Sequence, residues 1–455
     1  MSQLLLTFYG DDFTGSTDAL EQLTLAGIRT ALFIQPPTPA QLKKFPGLQA
    51  IGVAGKTRSL APQAMERELK PVLLALKRLK PRHVHYKVCS TFDSSPKTGS
   101  IGRVMDVAAK IFPAPFIPLL VAAPALGRYT IFGQHFARFG IGSAGAIHRL
   151  DRHPSISKHP VTPMTEADLR LHLAKQTRKR VALFDILKVI LPEKEARAAL
   201  KQLLADKPDA VLFDALSLEH LKLIGGLIED FTDGKHPLFS VGSSGIETAL
   251  AVRWGERPRE PRHQTGRRLA GTLAPPTKQI LVGSGSCSPV TSEQIKWALK
   301  HGFAEVALDA AGAAVDVTKE IRRCVQAATA LLQSGKSVIV HTTKSGANQR
   351  VTARLRGRTA AYLGSALGSV LWATLKKHRV SRICIAGGDT SSYAARALGI
   401  EALEMIAPLT PGAPLCRARA LATSPADGLE VVFKGGQVGP ENYFEIVKQG
   451  CSGAL

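Results

Sequence analysis

The chain has 455 residues, 45% of them hydrophobic, and a formal net charge of +23. That length holds two or three domains with ample core, and no apolar run approaches the ~20 residues of a spanning helix. Six scattered cysteines without CxxC spacing argue against a disulfide framework or a zinc site, which makes a cytoplasmic location the default. The charge suggests nucleic acid, but the basic residues are spread along the whole length and aromatics are only 6%. A fold that binds small anions fits better.

The opening MSQLLLTFYGDD lacks a basic leader and reads as a first strand over 3–9. That strand delivers Asp11 and Asp12 at its carboxyl end, where open α/β sheets hold ligands. Two adjacent acids can act as general base, magnesium ligand or hydroxyl acceptor, and either can instead cap the helix that follows. Strands near 29–34 and 49–54 come next, the second ending in Gly55-Lys56-Thr57-Arg58-Ser59. A helix over 62–79 leads to a strand at 83–88 and to Lys87, Ser90, Thr91 and Asp93. Acids, bases and hydroxyls from separate strand ends describe a pocket for a small polar anion. A guanidinium fork such as Arg58 would hold a carboxylate with two bonds, and a lysine would add a point charge.

A strand at 117–123 precedes Gly127-Arg128-Tyr129, and 148–164 reads as a fixed loop rich in proline and histidine. His153, His159 and Thr162 lie in it; without an acidic or cysteine partner at suitable spacing, hydrogen bonding is favoured over zinc. Helices at 166–177, 193–205 and 217–231 alternate with strands at 181–185, 210–214 and 237–241. The last strand delivers Gly242-Ser243-Ser244-Gly245, which is not a nucleophile elbow because Ile246 stands where GxSxG needs glycine. From 255 to 277 the pattern dissolves into a Pro, Arg and Gly-rich linker, dividing the chain into domains at 1–254 and 278–455.

The second domain opens with the strand 280–282 and the turn Gly283–Ser288, with Ser286 and Ser288 as hydroxyl donors. Thr291 or Ser292 can cap the helix that follows, and Gly302 can end it. Strand, glycine turn and helix start together aim bare N–H groups at one point, a natural phosphate site. Strands at 305–309 and 337–341 and helices at 317–333 and near 352–378 lead to a strand at 382–386. It delivers Gly387, Gly388, Asp389 and Thr390 into a helix reading YAARALGI, and a strand at 429–433 delivers Gly435 and Gly436. Gly335-Lys336-Ser337 imitates a Walker A end, but Ala330 occupies the upstream glycine position. GSGSCS with Asp309 about 20 residues on imitates a dinucleotide fingerprint, which keeps an NAD(P)-dependent dehydrogenase open as an alternative. A basic nucleic-acid-binding or effector protein is the other.

These loops, in this order, resemble the four-carbon acid sugar kinase family over nearly the whole chain. The motifs are GDDFTGSTDAL at the start, KTRS at 56–59, YKVCSTFDSSP at 86–96, HPVTPM at 159–164, VGSSGIETAL at 241–250, GSGSCSPVT at 283–291, GGDTS at 387–391 and KGGQVG at 434–439. The resemblance implies an α/β protein of two domains, each a mainly parallel sheet flanked by helices, with the active site in the cleft between them. It implies phosphoryl transfer from ATP, with Mg²⁺, to the terminal hydroxyl of a small sugar acid. Carried over by position, Ser286, Ser288, Gly387, Gly388, Asp389, Thr390, Gly435 and Gly436 would contact ATP. Asp11, Asp12, Lys56, Arg58, Ser90, Thr91, Asp93, His159 and Thr162 would face the sugar acid, with Lys87 beside them. Asp12 is the favoured base, with Asp11 and Asp93 as alternatives, and Lys56 and Arg58 would clamp the carboxylate. Members usually carry Glu where Asp389 stands. CSTFDS is closer to 3-oxo-tetronate kinases, while RLDRHP and GRYTIFG depart from them and point to a branched relative such as 3-oxo-isoapionate. The expected partner is a small sugar acid, with no membrane, no nucleic acid and a homodimer as an allowed assembly.

Overall fold

The computed structural model describes residues 4–139, 145–159, 161–254, 274–342 and 359–450, without the side chains of residues 359, 360 and 389. Most of the expected linker, Pro160, the start of the helix expected near 352 and the Asp389 side chain thus lie outside the described residues. The chain forms two compact units, Met1–Ala31 with Gln35–Pro261, and Leu32–Ile34 with Arg262–Leu455.

The first unit contains β1 (Leu6–Gly10), the start of β2 (Thr30–Phe33, whose Leu32 and Phe33 belong to the second unit), β3 (Ala50–Ala54), β4 (His83–Lys87), β5 (Ile117–Leu120), β6 (Arg128–Ile131), β7 (Gln134–Arg138), β8 (Ile147–Arg149), β9 (Val181–Phe184), β10 (Ala210–Phe213) and β11 (Leu238–Gly242). Its main sheet runs β2-β3-β1-β4-β11-β5-β10-β9, and the pairings from β3 to β9 are parallel. Parallel neighbours need crossovers that cover both faces with helices. The strands accordingly read as continuous apolar runs, and every residue of β1, β3 and β4 is buried. One core, containing Tyr9, Leu69, Leu73 and Met105, packs helices Pro62–Arg78 and Ile101–Ala109 on the sheet. Another, containing Phe116, Phe184, Ile224 and Leu250, brings in helices Leu218–Glu229 and Gly245–Trp254.

The second unit holds β12 (Leu281–Ser284), β13 (Ala304–Ala307), β14 (Val338–His341), β15 (Arg382–Ala386), β16 (Ile400–Thr410), β17 (Ala413–Ala420) and β18 (Glu430–Lys434). Their order is β13-β14-β12-β15-β18-β17-β16, parallel from β13 to β18 and antiparallel beyond. The α/β class expected from the sequence is therefore present in both units.

Three local expectations are corrected, and one stretch left without an assignment is filled in. The 124–149 stretch carries the antiparallel sheet β6-β7-β8, too short and polar to show a clear period in sequence. The helix read into YAARALGI covers Gly388–Ala397 and stops before Gly399 (φ 69), so Ile400 opens the long hairpin β16–β17. A glycine in the left-handed region is a helix stop, and β-branched Ile400 then favours a strand. The helix expected to be capped by Thr291 or Ser292 begins earlier, at Pro289 with Ser288 in the cap position; proline suits the first turn, where its missing N–H costs nothing. The helix expected over 166–177 is Leu169–Ala174, because the Asp168 side chain accepts from Arg170 N and starts it late.

Candidate functional site

In the first unit β1 lies between β3 and β4, with Gly10 in register with Ala54 and Lys87. Equal register makes the segments after all three strands leave the sheet edge together. Arg58 N donates to Asp11 O at 3.1 Å and Asp11 N to Lys87 O at 2.8 Å, which ties them into one cluster. Asp12 does two jobs. Its Oδ1 accepts from Gly15 N at 2.9 Å and caps helix Phe13–Leu25, while its Oδ2 accepts from Thr14 Oγ1 at 2.8 Å and lies 3.0 Å from Arg58 Nη2. The capping reading of the acid pair thus holds for Asp12, and the same carboxylate also pairs with Arg58.

Electrostatics separates the two acids. Burial pushes the Asp12 carboxyl up, but Arg58, the Thr14 hydroxyl and Lys87 outweigh it and hold the group below the usual carboxylate range. Asp11 is pushed up to about 8, by burial first and by the Asp12 charge second, with Arg58 and Lys87 opposing. Its Oδ1 is buried without a hydrogen-bond partner. A carboxyl near neutrality beside one that stays ionised is the pattern of a proton-accepting pair.

Ser90 and Thr91 are buried beside this cluster. Thr91 Oγ1 donates to Asp93 Oδ1 at 2.9 Å, and His135 of β7 binds Ser90 O at 2.9 Å, so the small sheet braces the 90–93 turn. Lys56, at the pocket's rim, pairs with Glu68 at 3.6 Å. Lys87 is only 1% exposed; its Nζ lies 3.2 Å from Asp18 Oδ2 and donates to Val88 O at 3.1 Å. Its charge acts on the acid pair, lowering the proton affinity of both Asp11 and Asp12. His159 and Thr162 satisfy each other, Thr162 N and Oγ1 meeting His159 Nδ1 at 3.1 and 3.0 Å. No bond between described residues joins them to Asp11, Asp12 or Arg58. His153 Nδ1 accepts from Ser155 N and Ile156 N, both at 3.3 Å, so it serves its own loop. Among the described residues no group of three His, Cys, Asp or Glu could hold a metal ion.

Sequence reading missed a buried array below this pocket. Glu247, two residues after the GSSG turn, is completely buried with neither carboxyl oxygen hydrogen-bonded, and burial pushes it up to about 8. His85 Nε2 lies 3.6 Å away, and burial, then Lys87, lowers His85 to about 3. The signal was there in HVHYK, polar residues on a central strand.

In the second unit β12, β15 and β18 are neighbours, with Ser284 in register with Ala386 and Ala386 with Lys434. The three glycine turns therefore leave one edge side by side. Their contact is close: a Cβ on Gly285 would stand 2.2 Å from Thr390 Oγ1, and one on Gly436 2.9 Å from Ser286 Oγ. Gly387 has φ 120, a conformation that side chains rarely adopt, and its N donates to Lys434 O at 2.9 Å. Thr291 Oγ1 donates to Gly436 O at 3.0 Å, and Gln294 Nε2 to the carbonyls of Val438, Gly439 and Pro440 at 2.9 to 3.0 Å. Ser286, Ser288, Gly387, Gly388, Thr390, Gly435 and Gly436 thus lie on turns gathered at the start of helix Pro289–Lys300. The dinucleotide reading fails here. Asp309 caps the helix Ala310–Val315 through Ala311 N and Gly312 N at 3.0 Å, and β14 separates its strand from β12.

Residues 6–250 match a sugar-binding N-terminal domain and residues 281–444 a nucleotide-binding C-terminal domain. The chain belongs to the four-carbon acid sugar kinase family. It is 43% identical to the 3-oxo-isoapionate kinase of Paraburkholderia graminis, over 98% of this chain and 94% of that one. To the 3-oxo-tetronate kinase of Salmonella typhimurium it is 28% identical, over 95% and 96%. A solved Salmonella typhimurium protein superimposes with a TM-score of 0.77 at 25% identity, covering 98% of this chain and 99% of that one.

Proposed function

We propose that this chain is an ATP-dependent kinase that phosphorylates the terminal hydroxyl of a small oxo-aldonic acid, a branched 3-oxo-isoapionate-type acid before an unbranched 3-oxo-tetronate. The observation that carries the reading is the set of three glycine turns at the joined ends of β12, β15 and β18. Bare N–H groups, serine and threonine hydroxyls and a helix start suit a polyphosphate. Mg²⁺ would be carried on the triphosphate and neutralise part of its charge, needing few protein ligands.

The first unit would take the acceptor. Arg58 would fork the substrate carboxylate, with Lys56 adding charge at the rim and Ser90 and Thr91 binding hydroxyls. The sequence favoured Asp12 as base, yet both its oxygens are engaged, by the helix start and by Arg58. Asp11, with an unpartnered oxygen and raised proton affinity, is the better acceptor for the hydroxyl proton. Asp12 would keep Arg58 aimed. Phosphoryl transfer asks the protein mainly for this positioning and charge balance. The cytoplasm suits the reading, since among the described residues no two cysteines form a disulfide.

The test is a panel of four-carbon and branched five-carbon aldonic and 3-oxo-aldonic acids, assayed for ATP-dependent phosphorylation. ADP formation that requires one 3-oxo acid supports the proposal. Sugar-independent ATP hydrolysis alone, or no turnover with any acid, would refute it.

A further inference from the structure

Lys434 is the last residue of β18 and is completely buried. Its Nζ donates to Thr291 Oγ1 at 3.0 Å and lies 5.4 Å from the Tyr443 ring centroid. Among the described residues no carboxylate comes within ion-pair distance of it. The titratable groups facing it are the Cys384 thiol of β15 and Tyr443 of helix Tyr443–Gln449. A buried ammonium without a counter-charge is costly to keep.

The position aggravates that cost. Thr291 is the third residue of helix Pro289–Lys300, whose amino end carries partial positive charge. Two positive features therefore meet there, with no acid between them among the described side chains. Close by on the same turns, Ser284 Oγ and Ser288 Oγ are buried without partners. Thr291 Oγ1 passes the link on, accepting from Lys434 and donating to Gly436 O.

We propose that Lys434 is a positioning residue for the nucleotide, its buried charge balanced only when polyphosphate sits on the glycine turns that Thr291 ties to it. The proposal rests on the nucleotide reading of the second unit. Lys434 does not touch the phosphates; it acts from below, through its field and through the Thr291–Gly436 link. Burial lowers its proton affinity to about 8, in keeping with a charge that lacks a partner. An arriving anion would reverse that shift.

The test compares wild type with Lys434→Met in ATP titrations and thermal melts. The expected result is an ATP KM raised at least about tenfold, as the loss of a nearby balancing charge in a buried site would give. The KM for the sugar acid should stay put, and the ATP-free variant should melt no lower than wild type. An unchanged ATP KM overturns the proposal. So does a lower melting point of the free protein together with higher KM values for both substrates, the mark of a merely structural lysine. If Lys434→Met does not fold, Thr291→Val decides, and there too an unchanged ATP KM overturns it. Wild type that neither turns over ATP nor is stabilised by it would instead sink the nucleotide reading itself.

Discussion

Arg58 Nη2 lies 3.0 Å from Asp12 Oδ2, and the same carboxylate caps the helix that begins at Phe13. The helix start fixes the acid, the acid fixes the guanidinium, and the fork's remaining donors are left for a ligand. Arg58→Lys keeps the charge but loses the planar fork. It should raise the KM for the sugar acid by about tenfold to a hundredfold, the worth of one charge-assisted hydrogen bond. The ATP KM should hardly move. Initial rates with each substrate varied separately check this, and equal rises in both constants contradict it.

Asp11→Asn and Asp12→Asn should part company. With Asp11 as base, its amide loses kcat by about 10² to 10⁴, the usual worth of general base catalysis, with the fold intact. Asp12→Asn keeps a capping side chain but no charge for Arg58, so the sugar-acid KM should rise more than kcat falls. Kinetics of both variants with one accepted acid decide. A larger kcat loss in Asp12→Asn would return the base role to Asp12.

Much of this arrangement was legible in the sequence, because the apolar strands are short and their loops are chemically loud. The helices Glu193–Ala205 and Val317–Gln333 and the strand Arg382–Ala386 match the expected spans. Asp11, Asp12, Arg58 and the glycine turns were found because strand ends deliver ligands in such sheets. What escaped is what periodicity cannot carry. The β6–β7 strands alternate in burial but bury polar Arg128, Thr130 and His135, and β16–β17 hid behind a helix that Gly399 ends early. Glu247 and Lys434 lie inside quoted motifs but were given no role, since a buried charge looks like a surface one until its neighbours are known. Lys87, expected to face the sugar acid, is buried against Asp18.

Gly387 tests the nucleotide turns by backbone alone. At φ 120 any side chain is strained, and a Cβ would press to 3.2 Å from Ser286 N, one of the amides facing the proposed phosphate site. Gly387→Ala should cost about 1–3 kcal/mol of stability, the range for such conformations. It should also weaken ATP while leaving the sugar-acid KM in place. Denaturant unfolding and ATP-dependent thermal shift measure the two effects. A variant as stable as wild type with unchanged ATP affinity would mean that the turn relaxes freely.

Glu247 predicts a pH dependence whose sign follows from its burial. Burial lifts its proton affinity from 4.5 to about 8, against the opposing pull of Lys87. The folded chain thus holds a proton that the unfolded chain releases near 4.5. The stability this proton confers is full below the unfolded value and drains away as pH climbs towards the folded one. Glu247→Gln keeps the size of the side chain and removes the titration. Its melting temperature relative to wild type should therefore climb steadily between about pH 5 and pH 8 and level off above. His85, lowered from 6.5 to about 3 by burial and then Lys87, adds a slope of the opposite sign as its unfolded form titrates, but that slope is common to both proteins and cancels in the difference. Melting curves of both proteins across the window give the difference directly. Parallel curves would show that Glu247 is ionised at every pH tested, with Lys87 as its counter-charge and Asp18 opposing.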